Sequence, residues 1–65
     1  MNKKFLRLSS VREITGLSRS TIYLMMRDGV FPKNILLGAR SVGWLEDDIE
    51  AWIESRINKQ AWGVQ

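Results

Sequence analysis

The chain has 65 residues, no cysteine, no histidine and a formal net charge of +3. A chain of that size buries only about 60% of the surface its unfolded form exposes, so it makes one domain with a small core and no room for an elaborated catalytic cleft. Disulfides, thiol nucleophiles and the usual zinc sites are excluded by composition, and no apolar run approaches the roughly 18 residues that cross a bilayer.

The charge is divided along the chain. Residues 1–40 carry eight basic side chains against two acids, whereas residues 41–65 carry two basic side chains against five acids. That split points to a polyanion docking on one part of the molecule. The absence of cysteine fits a cytoplasmic protein, and docking on DNA would make it nucleoid-associated. Met1-Asn2-Lys3-Lys4 has the basic start of a signal peptide, but no apolar stretch of about 7–15 residues follows it. Residues 1–4 and 60–65 are expected to be loose ends of a single domain spanning 1–65.

Phe5–Leu8 is short and apolar with one basic break, and reads equally as an extended lead-in or an edge strand. A first helix is expected over Ser10–Gly16. Ser10 and Glu13 have capping-box spacing, Val11, Ile14 and Leu17 supply an apolar side, and Gly16 stops the helix. Leu17 leads directly into Ser18, an N-cap for a second helix over Ser18–Asp28. Gly29 supplies a left-handed exit and Pro32 prevents resumption. Two helices joined so tightly through a glycine have the layout of a helix-turn-helix, in which the second helix is offered to a DNA groove. An ordinary helical hairpin is the competing reading, and the brevity of the first helix argues against it.

On the second helix Ile22, Met25, Met26 and Gly29 fall on one side. Arg19, Ser20, Tyr23 and Arg27 fall largely on the other, with no acid before Asp28. A dry back and a basic, hydrogen-bonding front suit a major groove, although a polar front is also the default for any surface helix. Phe31 is expected as a core anchor under the exit turn.

Lys33–Leu45 reads as a β-hairpin with arms Asn34–Leu37 and Ser41–Leu45. Gly38-Ala39-Arg40 forms its tip, with Gly38 free to take positive φ, and Gly43 marks a bulge or a close backbone approach. Such a hairpin after a helix-turn-helix is a wing. Lys33 and Arg40 then rest on phosphates or in a minor groove, or Arg40 is a solvated turn cation. Trp44 is expected to be buried with its indole N–H on a carbonyl. Glu46-Asp47-Asp48 starts a third helix of roughly three turns, whose acids favour the positive end of the helix dipole. Neighbouring carboxylates at a helix start splay apart and no further ligand stands near, so no metal site is expected. Ile49, Trp52, Ile53 and Ile57 form its core stripe, and its acids place it behind the reading helix, away from the duplex. Gly63 is a stop signal. Trp62 either packs back on the third helix or stays exposed as a partner anchor.

Arg19-Ser20-Thr21-Ile22-Tyr23, Gly29-Val30-Phe31-Pro32-Lys33, Leu37-Gly38, Val42-Gly43-Trp44 and Ile49-Glu50-Ala51-Trp52-Ile53 together resemble the AlpA family of small prophage-encoded regulators. The likeness runs from about Leu8 to Arg56 and rests on the joint pattern; any one piece alone is weak. The Leu24-Met25-Met26 run departs from it, since a more polar residue is expected at one of these places, and which of the three is exposed stays open. The resemblance implies a mainly α fold with a small β-hairpin, a winged helix-turn-helix of the MerR-like, excisionase-related type. It implies a sequence-specific transcriptional regulator acting near an integrase promoter or attachment region, or alternatively an architectural excisionase bending DNA for an integrase. The matching positions that would meet DNA are Ser18–Thr21, Tyr23 and Arg27 on the helix and Lys33–Arg40 on the wing.

On this reading Arg19 bonds a guanine edge, Ser20 and Thr21 add short hydrogen bonds, and Tyr23 and Arg27 hold the backbone. Arg7, Arg12, Lys33 and Arg40 add electrostatic hold without sequence information. One module covers few base pairs, so useful specificity calls for a dimer, a cooperative row on DNA, or help from an integrase; no heptad seam names an interface. A protein-binding adaptor using Trp62 and the third helix is a more remote reading. No nucleophile–base pair, phosphate-cradling glycine loop or ligand cluster is present, so neither an enzyme nor a cofactor is expected.

Overall fold

The structure is a computed structural model that describes residues 3–62. Its elements are β1 (Phe5–Leu6), α1 (Leu8–Thr15), α2 (Arg19–Arg27), β2 (Ile35–Leu36), β3 (Val42–Leu45) and α3 (Glu46–Trp62). The strands form one antiparallel sheet in the order β1-β3-β2. Phe5 and Leu6 pair with Leu45 and Trp44, and Ile35 and Leu36 pair with Gly43 and Val42. Three helices on a three-stranded sheet, with β2 and β3 as a hairpin, make a winged helix-turn-helix. The Gly63 stop and the packing of Trp62 lie outside what is described.

The core is thin and evenly supplied. Leu6 of β1, Val11 of α1, Ile22 of α2, Phe31 of the α2 exit, Trp44 of β3 and Ile49 of α3 are its buried residues. Each element except β2 thus contributes one fully committed anchor. Leu8, Leu17, Tyr23, Met25, Met26, Trp52 and Ile53 pack partly buried around them. No buried polar side-chain atom lacks a hydrogen-bond partner among the described residues, as a core this small requires.

Phe5–Leu6 is an edge strand. Its pairing with β3, extended by the Glu46 N–H donating to the Lys4 carbonyl at 2.8 Å, changes the start of the first helix. With Leu6 held in the sheet, only Arg7 remains as a joint, extended at φ −82°, ψ 165°. The first helical bond runs from the Val11 N–H to the Arg7 carbonyl at 3.0 Å. Helix α1 therefore begins at Leu8, two residues before the expected start, and ends at Thr15. Ser10 lies inside the helix and the capping box does not form; Arg7 has no side-chain acceptor to replace it. The helix ends as expected at Gly16, which takes the left-handed conformation at φ 74° and donates to the Arg12 carbonyl. Ile14, expected inside, is 51% exposed. Helix α1 packs on β1 and β3, and Val11 is its one buried residue.

The wing is shorter than expected, with regular pairing only at Ile35–Leu36 and Val42–Leu45. The Leu37 and Gly38 N–H groups both donate to the Ser41 carbonyl, at 2.7 and 3.3 Å, and close the tip. Gly38 does not use a positive φ: among the described glycines only Gly16 and Gly29 do. Gly43, in the central strand, meets the predicted close approach. A Cβ there would stand 2.8 Å from Leu37 Cδ1, 3.1 Å from the Leu6 carbonyl oxygen and 3.5 Å from Phe5 Cβ. Helix α3 runs for 17 residues, about 25 Å, beyond the three turns expected. Ile49, Trp52 and Ile53 face the core, whereas Ile57 is 60% exposed, because the helix outruns the sheet that would cover it.

Gly43→Ala is expected to destabilise the fold by about 1–3 kcal/mol through overpacking against the Leu6 carbonyl. Gly38→Ala, with nothing within 4 Å of the added carbon, should change stability by less than about 0.5 kcal/mol. Urea unfolding of the two variants side by side checks the contrast.

Candidate nucleic-acid interface

The turn between α1 and α2 is built from local hydrogen bonds. The Thr15 hydroxyl donates to the Val11 carbonyl at 2.7 Å, and Thr15 Oγ1 accepts from the Leu17 N–H at 3.2 Å. Ser18, extended at φ −78°, ψ 163°, caps α2 by accepting from the Thr21 N–H at 3.2 Å. The Ser18 hydroxyl also donates to Thr21 Oγ1 at 2.9 Å. Ser18 and Thr21 thus hold one another and fix the helix start.

The other end of α2 closes with a Schellman motif. The Gly29 N–H (φ 78°) donates to the Met26 carbonyl at 3.1 Å and the Val30 N–H to the Met25 carbonyl at 3.0 Å. Two indoles then fasten the strand that leaves it. Trp52 Nε1–H donates to the Val30 carbonyl at 2.9 Å, and Trp44 Nε1–H to the Pro32 carbonyl at 3.0 Å. Between these bonds Phe31 packs edge-on against Trp52, with ring centroids 4.9 Å apart. The helix is therefore fixed against both β3 and α3.

Arg19, Ser20 and Tyr23 line one shallow surface depression. Arg19 and Ser20 are exposed, and Tyr23 is half-buried. The Tyr23 ring stands edge-on to Trp44 with centroids 6.3 Å apart, and the Arg19 guanidinium carbon lies 5.6 Å from the centre of the same ring. Arg19 thus rests on an aromatic platform that is itself backed by the core. Arg27 is exposed near the far end, with its Nε 3.8 Å from an Asp28 carboxylate oxygen, a surface pairing too weak to restrain it.

Lys33 and Arg40 are exposed on the wing, outside that depression. Arg12 lines a notch by the Gly16–Ser18 turn together with Glu13, so the cation there is partly offset by an acid. Arg7 is exposed at the joint before α1. Asp47, Asp48, Glu50 and Glu54 are exposed on α3, and Lys3 reaches Asp47 at 3.9 Å. Among the described residues no acidic or histidine cluster is arranged to hold a metal ion, and no helix is long and apolar enough to cross a membrane.

Residue-type reasoning passed over Leu24. It is 48% exposed, whereas Met25 and Met26 are partly buried against the core. The signal available was angular: Leu24 stands four residues after Ser20 and three before Arg27, on their side of the helix.

Fold and site together define a winged helix-turn-helix module with a basic second helix. Residues 4–57 match the family described as Prophage CP4-57 regulatory protein (AlpA), and the chain belongs to that family. It is 41% identical over 59 residues to the DNA-binding transcriptional activator AlpA of Escherichia coli strain K12, covering 82% of this chain and 84% of that protein. It is 46% identical over 55 residues to the uncharacterized protein ORF88 of Enterobacteria phage P4. That alignment covers 85% of this chain, but this chain spans only 62% of the length of the phage protein. The family is one of regulators and not of enzymes.

Ser18→Ala removes both the cap and the partner of the Thr21 hydroxyl. It is expected to cost about 1 kcal/mol of stability, read as a lower urea midpoint with an unchanged slope.

Proposed function

We propose that this chain, acting as one unit over 1–65, is a sequence-specific DNA-binding transcriptional regulator of prophage type that works on an integrase promoter or an attachment region. The observation that carries the reading is Arg19 held on the Tyr23 ring at the exposed start of a helix fixed at both ends. Preorganisation lowers the entropic cost of ordering a long side chain on binding. The kinship with a protein named as a DNA-binding transcriptional activator supports the same conclusion.

In this proposal α2 enters the major groove of double-stranded DNA. Arg19 bonds the O6 and N7 of a guanine, and Ser20 adds a short contact beside it. Ser18 and Thr21 hold the helix N-terminus, whose first amides face a phosphate together with the Tyr23 hydroxyl. Arg27 leaves its weak pairing with Asp28 for the backbone. Lys33 and Arg40 bring the wing onto neighbouring phosphates or into the minor groove, and Arg7 and Arg12 add to the field. Roughly 4–6 phosphates are neutralised, so affinity falls steeply with salt. The exposed acids of α3 keep that helix away from the duplex. One module reads few base pairs, so copies act as a dimer or a cooperative row, or beside an integrase. A cytoplasmic, nucleoid-associated location accompanies this role.

Titrations on the DNA flanking the protein's own gene test the reading. Arg19→Ala should cost about 1–3 kcal/mol and relax preference at one base pair; an equal loss on every sequence would make Arg19 a phosphate contact. Arg40→Ala should weaken all sequences alike and reduce the slope of log affinity against log salt by about one unit. An unchanged slope would remove the wing from the interface.

A further inference from the structure

Leu24 occupies the middle of the outward face of α2. At 3.6 residues per turn, Ser20, Leu24 and Arg27 fall within about 40° of the line opposite Ile22, which is fully buried. Leu24 lies about 6 Å along the axis from Ser20 and about 4.5 Å from Arg27. Single exposed aliphatic side chains are common on protein surfaces, so exposure alone says little. The setting of Leu24 is what counts: Arg19, Ser20 and Tyr23 lie on the N-terminal side, Arg27 follows, and no acid intervenes before Asp28. Ser20 and Arg27 share its face and flank it along the axis, so a nucleic acid that meets both covers the apolar group between them.

Resting on the proposed entry of α2 into the major groove, we infer that Leu24 is a specificity-determining residue that packs against the C5-methyl group of a thymine. A major groove offers few apolar surfaces, and the thymine methyl is the principal one. Leu24 supplies a branched aliphatic end of matching size at the centre of the reading face. Ser20 and the two arginines bond polar edges and phosphates around it. The pairing favours thymine over cytosine at one position with no hydrogen bond of its own. The same methyl occurs on 5-methylcytosine, which the contact therefore also accepts.

The test uses the full 65-residue chain and a duplex enriched by it from a random library. Each thymine in that duplex is replaced in turn by uracil, which removes the methyl and leaves every hydrogen-bonding edge intact. Fluorescence anisotropy should show about fourfold weaker binding at one position for the wild type, the value of one buried methyl group. Leu24→Ala, whose folding is checked by circular dichroism, should bind the thymine and uracil duplexes equally. Uracil without effect at every position would overturn the inference and leave the DNA reading standing, as would a Leu24→Ala variant that still discriminates. Failure to enrich or retain any duplex would overturn the DNA reading, and the inference with it.

Discussion

Two indole N–H groups hold this small fold in register. Trp44 and Trp52 come from different elements, yet both donate to carbonyls of the three-residue segment Val30–Pro32. That segment leaves α2 and enters the wing, so its two bonds set the direction of both. The Trp44 bond is partly buried and the Trp52 bond exposed, so each contributes modestly in energy and acts chiefly by fixing geometry. Phe31 lies between them and carries the apolar half of the same joint. In a core with six buried hydrophobic residues among those described, this joint ties α2, β3 and α3 at one place.

The consequence reaches the outer surface in two steps. Trp44 is fully buried and bonded, so its ring is a fixed partner for the T-shaped contact with Tyr23. Tyr23 in turn presents a face to Arg19. A guanidinium that would otherwise sample many rotamers is thus referred back to the centre of the core. The caps work on the same helix from its ends, Ser18 at the start and Gly29 at the exit. Helix α2 is short at nine residues, below the length at which an isolated helix persists in water. Its order comes from these attachments.

The wing is held differently. Strand β2 contributes no buried anchor and is attached through its ladder to β3, where Gly43 lets the neighbouring chain segments approach. Local stability follows the density of buried contacts, so the wing is the softer of the two parts proposed to meet DNA. Helix α2 is the rigid part, and that division suits a reader of base edges beside a contact to phosphates. Charge is divided differently, with eight of the ten cations ahead of residue 41 and five of the seven acids on α3.

Features set by neighbours in the chain were legible from the sequence. Gly16 and Gly29 adopt left-handed conformations and Ser18 caps α2, because caps depend on a few consecutive residues. Ile22, Phe31, Trp44 and Ile49 are buried, and the winged helix-turn-helix follows from the tight turn and the hairpin after it. Candidate site residues on α2 were legible for the same reason: helical spacing alone puts Arg19, Ser20 and Tyr23 near each other. What depends on distant partners was not legible. Ser10 fails to cap because strand pairing between Phe5–Leu6 and β3 starts α1 early. Ile14 and Ile57 sit at apolar positions that stay exposed among the described residues. Leu24 is exposed while Met25 and Met26 turn inward, since one short helix can bury only the face its neighbours reach. Periodicity tells which residues share a side; only the assembled sheet and helices decide which side is dry.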